Sequence, residues 1–324
     1  MGNGLGAPGW SFTRGLHDLG NGCYAYLQPD GSWGFSNAGL VVDSGESLLV
    51  DTLFDLRLTR EMLASMRAAE PAATEHIDTL VNTHSNGDHC NGNELCVGAE
   101  IIASAAAAEE MRHENPAVMQ QLVEAAPGMG ELGEYFLHCF GAFDFKGIEK
   151  TLPTSTFEGR LTRAVGSKRV ELIQVGPAHT RGDVLLHVPD DGTLFSGDIL
   201  FIEGHPILWA GPVQNWIDAC RIIEESGAEI VVPGHGPITD RRGAAAVREY
   251  LAYLSAEARA RYDAGMSAME AARDIALSDY SSWGDAERIV VNVHTLFREF
   301  SGDPSEPEIA ELFGEMARIR RERS

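Results

Sequence analysis

A short loop with three metal-binding side chains is the feature that most restricts how this chain folds. His84, Asp88 and His89 fall within six residues. They directly follow residues 77–81, an apolar run with β-branched side chains that predicts a buried strand. Loops that leave such strands carry the binding sites of α/β proteins. The Asn-Gly pair at residues 86–87 disfavours the alternative, a helix with His84 and Asp88 on one face. We therefore predict a loop that binds a metal.

An apolar strand followed by a potential metal ligand occurs four more times in the chain. Taken alone, the loop could be a polar turn that contains two histidines by chance. The repetition of the same pattern along the chain argues against that alternative. The further segments end at Asp51, His179, Asp198 and His235. Together the five segments predict one shared metal centre on an α/β fold.

In this order of motifs the chain resembles the metallo-β-lactamase superfamily of metal-dependent hydrolases. That family has an Asp after an early strand, an H-x-H-x-D-H loop, a lone His, a lone Asp and a final His. The resemblance spans about residues 20–240. It implies an αββα sandwich, in which two sheets lie between helical layers. It leaves the substrate open, because the superfamily hydrolyses lactams, lactones, thioesters, phosphodiesters and other bonds.

One position departs from the family pattern, because Asn86 stands where the loop has its middle histidine. The resemblance implies two metal sites. The first has the ligands His84, Asn86 and His179. The second has Asp88, His89 and His235, and Asp198 is shared by both. An amide oxygen is a much weaker zinc ligand than an imidazole. We therefore expect one tightly bound Zn2+ at Asp88, His89, Asp198 and His235, and a weaker site at His84 and His179.

The resemblance also implies roles in hydrolysis. A divalent ion held by two carboxylates and two imidazoles keeps a position for water and lowers the pKa of that water, so we expect attack by metal-bound hydroxide. Either carboxylate can accept a proton. The expected catalytic residues are Asp88, Asp198, His84, His179 and Asn86. We assign Asp51 the role of orienting the metal loop, and an N-cap of the following helix is a compatible alternative.

Two segments resemble the branch of the superfamily that contains the chlorothalonil hydrolytic dehalogenase. They are the loop H-S-N-G-D-H-C-x-G-N and residues 28–39. This resemblance implies hydrolytic substitution on an electron-poor aromatic ring, by dehalogenation or aryl ether cleavage. Residues near the motifs are candidate substrate contacts, with core packing as the alternative for the aromatic ones. They are Trp33, Phe35, Asn37, Trp209, Asn215 and Trp216.

Two other functions remain open. Hydrolysis of a lactone, ester, thioester or β-lactam is supported by the general resemblance but by no particular residue. A non-catalytic metal-binding protein is the second alternative, and only Asn86 favours it.

Composition restricts the partners and the compartment. The chain has 25 basic and 48 acidic residues, a formal charge of −23, and no basic patch, which disfavours nucleic acid. No apolar run approaches the roughly 18 residues of a membrane span, and the start has no signal-peptide pattern. The five cysteines are unpatterned. We therefore predict a cytoplasmic enzyme with reduced thiols that acts on a small molecule.

The chain divides into three predicted regions. Residues 1–20 form an N-terminal arm. Residues 21–240 form the catalytic domain, with a helical insert at about residues 105–145. Residues 241–324 form a C-terminal helical region, in which apolar residues recur at helical spacing. We expect a homodimer, and the sequence leaves open whether the C-terminal helices form its interface, a lid or core packing.

Overall fold

The computed structural model describes residues 4–305 and 307–323, and within them the chain forms two β-sheets. The strands of the first sheet are β1 (Gly15–Gly20), β2 (Cys23–Leu27), β3 (Ala38–Asp43), β4 (Glu46–Val50), β5 (Thr79–Val81), β6 (Glu100–Ser104) and β7 (Ser155–Phe157). Those of the second are β8 (Arg160–Val165), β9 (Lys168–Gln174), β10 (Val184–Val188), β11 (Thr193–Phe195) and β12 (Ile230–Val232). In both sheets the strands lie in chain order, from β1 to β7 in the first and from β8 to β12 in the second.

Alternation of side chains along the strands determines how the sheets pack. In β4, Leu48 and Val50 join a core with Leu186 of β10, whereas Leu49 points to the opposite face and joins the core beneath the helices. Gly39 of β3 lies so close to Phe195 of β11 that a Cβ there would overlap the ring. The two sheets therefore pack face to face.

Helices cover the outer faces of this pair of sheets. They are α1 (Leu56–Ala69), α2 (Gly87–Cys90), α3 (Ala105–His113), α4 (Pro116–Ala125), α5 (Gly130–Phe140), α6 (Val213–Glu225), α7 (Arg241–Asp263), α8 (Ala268–Asp274), α9 (Ile289–Ser301) and α10 (Ile309–Arg323). Helix α1 buries Leu58 and Met62, and α6 buries Trp216 and Ile223, at helical spacing. The predicted αββα sandwich with C-terminal helices is confirmed.

The C-terminal helices pack on the sandwich and on the helical insert. Helix α7 lies against α6, and α9 lies against both α7 and α8. Helix α10 returns to the insert and packs on α5. These contacts place the end of the chain beside the segment between the metal loop and the lone His, so both helical regions border the same side of the molecule. No helix in the described ranges is long and apolar enough to cross a membrane.

Three details of local structure differ from the predictions. Residues 15–20, assigned to an N-terminal arm, form β1 and pair with β2, while residues 1–3 of that arm lie outside the described residues. The metal loop contains a single helical turn, α2, which begins after Asn86. Asp51 does not cap a helix. The N-cap of α1 is Asp55, whose side chain accepts a hydrogen bond from Leu58 N at 2.7 Å.

Candidate metal centre

The candidate ligands follow the ends of neighbouring strands. Asp51 follows β4, and the loop of residues 82–90 follows β5, its parallel neighbour. Asp198 and His235 follow β11 and β12, which are also parallel to each other. Parallel strands end at the same edge of a sheet, so these loops meet. His179 joins them from the segment between β9 and β10.

Two groups of potential metal ligands form where the loops meet, counting only residues that the structure describes. Within each group the ligand atoms lie within 4.8 Å of one another. The first group is His84, His179 and Asp198. The second group is Asp88, His89 and His235. Each group combines imidazole nitrogens with a carboxylate oxygen, which is a donor set that suits a divalent transition metal.

Asp198 lies between the two groups. Its Oδ2 is 3.4 Å from His179 Nε2 and 3.4 Å from His235 Nε2. Its Oδ1 is 3.1 Å from His89 Nε2. Gly234 leaves room for this carboxylate, because a Cβ at that position would overlap Asp198 Oδ1. One carboxylate thus reaches histidines of both groups, as a ligand shared by two metals would have to do.

Main-chain carbonyls fix the tautomer of two of the histidines. His179 Nδ1 lies 2.7 Å from the carbonyl of Ile207, and His235 Nδ1 lies 3.1 Å from the carbonyl of Gly31. A carbonyl only accepts hydrogen bonds, so Nδ1 carries the proton in both rings. In the neutral rings, Nε2 therefore presents a lone pair to the centre.

Asp51 imposes the same tautomer on the other two histidines. It accepts hydrogen bonds from His89 Nδ1 at 2.8 Å and from Thr83 N and Oγ1, each at 2.7 Å. Because Thr83 Oγ1 donates to Asp51, it accepts from His84 Nδ1 at 3.0 Å. Asp51 itself is buried and has a φ of 62°, a strained conformation of the kind that concentrates at functional sites.

The atoms that face the centre fit a bound cation. His84 Nε2, His89 Nε2 and Asp198 Oδ1 are shielded from solvent and make no hydrogen bond within residues 4–305 and 307–323. A buried polar atom without a partner costs about 1–3 kcal/mol, so several at one point require an explanation. A divalent cation coordinated by these atoms supplies one, and the proton on each Nδ1 leaves the required lone pairs.

Electrostatic interactions favour ionised carboxylates beside the histidines. Burial opposes ionisation of Asp198, but His235, His89 and His84 hold the pKa of this carboxyl well below its usual range. Burial likewise opposes protonation of His235, yet Asp198 and Asp88 raise its pKa to about 9. For His84, burial and the neighbouring His89 lower the pKa well below its usual value. The carboxylates thus attract positive charge to the centre, from a proton or from a metal.

Asn86 contacts His179 in the place of the missing histidine. The structure places its side-chain oxygen Oδ1 2.8 Å from His179 Nε2. Burial lowers the pKa of His179, and Nδ1 of this ring already donates to a carbonyl, so Nε2 of the neutral ring is an acceptor. The oxygen and nitrogen of an Asn side chain are assigned from such networks, and the amide turned by 180°, with its NH2 group towards His179, is the orientation that gives this acceptor a donor. Asn86 thus occupies a lone pair that the first metal site would use.

A cavity of about 860 Å3 opens over the centre. Its floor includes Asn86, Asp88, His179, Asp198 and His235. Its walls come from three parts of the chain: the loops of the sandwich, the helical insert and the C-terminal helices. The apolar wall residues include Trp33, Phe54, Met119, Phe140, Trp209, Ile309 and Phe313. His84 and His89 are fully buried and lie beneath the floor.

The sequence profile of the Metallo-beta-lactamase superfamily matches residues 31–235, a stretch that includes all five metal-loop segments. The chain belongs to the metallo-beta-lactamase superfamily. It is a hydrolase of that superfamily, with two groups of potential metal ligands in the expected loops.

Curated relatives agree with this assignment. The acyl-coenzyme A thioesterase MBLAC2 of Bos taurus is 26% identical over 216 residues, which cover 62% of this chain and 72% of that protein. The Homo sapiens protein of the same name is 25% identical with the same coverage. The beta-lactamase-like protein 2 homolog of Caenorhabditis elegans is 22% identical over 64% of this chain and 57% of its own length.

Solved structures share the metallo-beta-lactamase fold. The inverting sec-alkylsulfatase Pisa1 from Pseudomonas sp. matches 92% of this chain with a TM-score of 0.67 at 16% identity. This chain covers about half of it, 52% of its length. A metallo-beta-lactamase from Pontibacter korlensis matches 73% of this chain and 98% of its own, with a TM-score of 0.54 at 19% identity.

Two of the six candidate substrate contacts line the cavity of this metallo-beta-lactamase fold, namely Trp33 and Trp209. The other four do not. Asn37 donates to the carbonyls of Pro233 and Gly236 and so holds the loop that carries His235.

The other three candidates outside the cavity also have structural partners. Trp216 is fully buried and donates from Nε1 to the carbonyl of Ile199. Phe35 packs on Phe143 with ring centroids 4.8 Å apart, and Asn215 donates to the carbonyl of Pro177. Proximity to a motif in sequence did not reveal these orientations.

Sequence reasoning missed several residues around the metal centre. Thr83 links Asp51 to His84, and its place directly before the first histidine was a usable signal. Phe201 stacks on His235, with ring centroids 5.0 Å apart and planes 4° apart. Phe313 reaches the cavity from α10, far along the chain from any motif, and no local sequence pattern indicates that contact.

Proposed function

We propose that this protein is a zinc-dependent hydrolase that replaces a leaving group on an electron-poor aromatic ring. The observation that supports this most directly is the cavity, in which aromatic walls stand over the candidate metal ligands. Flat apolar walls such as Trp33, Phe54 and Phe313 suit an aromatic substrate. The resemblance of the H-S-N-G-D-H-C-x-G-N loop to that of hydrolytic dehalogenases supports the same substrate class.

Zinc would be held by Asp88, His89, Asp198 and His235. These residues offer two carboxylates and two imidazoles whose Nε2 atoms are lone-pair donors, a set that suits Zn2+. When bound, such an ion lowers the pKa of a coordinated water towards neutrality.

One tightly held equivalent per chain is the stoichiometry that we propose. In the other group, the Asn86 amide contacts His179 Nε2. Asn86 itself could bind a metal only through its amide oxygen, which is a weak ligand for zinc. His179 lines the cavity and can then contact the substrate, whereas His84 lies beneath the floor, out of its reach.

The protein's own side chains would assist the reaction in three ways. Asp88 lines the cavity and, through an oxygen that is not bound to metal, can accept the proton released on attack. The NH2 group of Asn86 can donate to charge that develops on the ring or the leaving group. The apolar walls exclude water and orient the ring over the centre.

A second candidate is hydrolysis of an acyl thioester. It is favoured by the curated relatives, which are acyl-coenzyme A thioesterases at 25–26% identity. The apolar walls of the cavity suit an acyl chain as well as a ring. Lactones, esters and β-lactams remain alternatives of the same acyl class.

One parallel assay separates the two candidates. The zinc-loaded protein is incubated with an activated haloarene, a nitroaryl ether, an acyl-coenzyme A thioester, a lactone and a β-lactam. We expect release of a phenol from the aryl substrates. Turnover of acyl substrates alone would refute aromatic substitution. The His235→Ala variant is the control, and its full activity without metal would exclude a metal-dependent mechanism.

We further propose a cytoplasmic homodimer without a nucleic-acid partner. The five cysteines are free thiols, which suits a reducing compartment, and the net charge of −23 disfavours polyanions. Sedimentation of the purified protein would test the dimer.

A further inference from the structure

The edge of the His235 ring is hydrogen-bonded to the loop at Gly31 and Ser32, and this loop is in turn bonded to the C-terminal region. His235 Nδ1 donates to the carbonyl of Gly31. The next residue, Ser32, donates from Oγ to Asp285 Oδ1 at 2.7 Å, across 253 positions of sequence. The loop packs tightly on the strand end, since a Cβ at Gly31 would lie 2.8 Å from Gly236 N. The position of the Gly31 carbonyl therefore depends on Asp285.

The face of His235 is held by a second path. The ring of Phe201 stacks on it, and the adjacent main chain is joined by Ile202 N donating to the carbonyl of His235 at 2.9 Å. The guanidinium of Arg288 lies over Phe201, with Cζ 5.2 Å from the ring centroid. The same guanidinium lies 4.5 Å from the ring of Trp33, beside Ser32 in the loop.

Both paths end at one buried ion pair. Arg288 Nη2 is 3.1 Å from Asp285 Oδ2, and the two side chains are 2% and 8% exposed. Arg288 Nη1 also donates to the carbonyl of His205 at 2.9 Å. A planar guanidinium fixed by two partners holds its stacking surfaces in one orientation. The pair lies between the C-terminal helices and the sandwich, where it meets both supports of the histidine.

We propose that Asp285 and Arg288 position His235 and so set the metal affinity of the group that it completes. His84 and His89 are oriented by Asp51 within the sandwich and do not depend on this pair. The ion pair therefore acts on the proposed zinc site through His235. This inference rests on the proposed role of His235 as a metal ligand. Neither Asp285 nor Arg288 belongs to either group of potential ligands, so both are positioning residues.

The test compares variants that loosen each path with a matched control. Ser32→Ala removes only the hydroxyl that joins the loop to Asp285, and Arg288→Met removes the guanidinium while keeping an apolar stem. Arg248→Gln is the control, because Arg248 also forms an ion pair, with Glu224 at 2.6 Å, but between α7 and α6. The zinc dissociation constant is measured by competition with a chelator. The visible spectrum of the Co2+-substituted protein is recorded, and unfolding of the metal-free protein is followed by circular dichroism.

We expect Ser32→Ala and Arg288→Met to weaken zinc binding by about 10-fold or more, within the range found when groups that orient a ligand are removed. The cobalt absorption bands should change shape as well. Arg288→Lys should restore part of the affinity. Arg248→Gln should lower stability without changing the dissociation constant or the spectrum, which separates positioning from a general loss of stability.

Unchanged zinc affinity and an unchanged cobalt spectrum in Ser32→Ala would overturn the proposal, whatever Arg288→Met does to folding. The proposal would also be overturned if Arg248→Gln weakened zinc binding as much as the test variants do. If the unmodified protein binds no zinc, the proposed function fails instead, and the two failures are thereby distinguished.

Discussion

At the scale of single residues, the chemistry of the centre depends on which nitrogen of each histidine carries the proton. Asp51 settles this for His89 directly and for His84 through Thr83. Burying a carboxylate is costly, and burial raises the pKa of Asp51 despite the hydrogen bonds that Asp51 accepts from His89 and Thr83. Asp51 is strained and buried, and its hydrogen bonds go to Thr83 and His89, so we infer that it serves the ligands rather than stability.

Replacing Asp51 by Asn should therefore weaken metal binding. The amide accepts through one oxygen only and presents an NH2 group to one of its present donors, so one histidine loses its fixed tautomer. We expect a 10–100-fold increase in the zinc dissociation constant. Asp55→Asn is the control, because Asp55 is equally buried but caps α1. Equal zinc affinity of Asp51→Asn and the unmodified protein would contradict the role assigned to Asp51.

Asn86 determines the expected stoichiometry. The variant Asn86→His supplies the imidazole that the first group lacks, and it releases His179 Nε2 from its present hydrogen bond. Metal retained after dialysis should rise from about one to about two equivalents per chain. Asn91→His, on the same loop but outside both groups, should leave the content at one. Two equivalents in the unmodified protein would show that Asn86 already acts as a ligand.

At the scale of elements, the sequence indicates strands and their loops better than the direction of individual side chains. Apolar runs followed by a ligand type located the five metal loops, and helical spacing predicted the helical region after residue 240. The residues that line the cavity walls were harder to predict from the sequence. Trp216 on α6 lies outside the cavity, because its ring is buried in the core against His179. Such orientation depends on tertiary packing, which periodicity does not specify.

Contacts between distant elements were not predictable either. Strand β1 has Gly at both ends and a partly exposed face, so its pattern is weak, and only pairing with β2 defines it. Arg288 and Phe313 are far from Trp33 in the sequence, yet all three line the cavity. A single sequence shows no signal that connects them.

His205 couples the sandwich to the C-terminal helices and gives the protein a pH dependence. Its Nε2 donates to the carbonyl of Tyr280 at 3.1 Å, and its ring contacts Tyr250 and Trp283. Burial, aided by the nearby Arg288, lowers the pKa of His205 to about 4. An unfolded histidine titrates near 6.5. Between these pH values the unfolded chain binds a proton that the folded chain does not, so stability is lost as the pH falls from about 6.5 to 4.

For the metal-free protein, His205 should account for about 3 kcal/mol of that loss. The check is urea unfolding at pH 7 and pH 4.5 for the unmodified protein and for His205→Gln, whose amide can still donate to the Tyr280 carbonyl. The difference in unfolding free energy between the two proteins should shrink on acidification. A difference that stays constant with pH would show that His205 is not held neutral in the fold.

At the scale of the whole molecule, the metal centre belongs to the sandwich, whereas the substrate cavity is assembled from three regions. Phe313 of α10 contacts Trp33 of the early loop at 5.6 Å and Phe140 of the insert at 5.9 Å between ring centroids. The C-terminal helices are therefore part of the cavity wall in this chain. Changing the residues that these helices contribute to the cavity wall should therefore change the preferred substrate without changing the metal centre.

Phe313→Ala should change substrate binding more than chemistry. Removing an aromatic wall that would contact the substrate costs about 1.5 kcal/mol or more, which corresponds to roughly a 10-fold rise in KM with a small change in kcat. Zinc content should not change. Phe300→Ala on α9, which packs on Tyr262 away from the cavity, is the control. An equal effect of both variants on KM would argue that the loss is structural.

The account depends most on where the metal binds. X-ray diffraction data collected on either side of the zinc absorption edge locate the ion by its anomalous scattering and count it at the same time. We predict one strong peak per chain, within bonding distance of Asp88, His89, Asp198 and His235, and at most a weak one beside His84 and His179. A single strong peak beside His84, Asn86 and His179, or no zinc peak in protein that turns over substrate, would contradict the account.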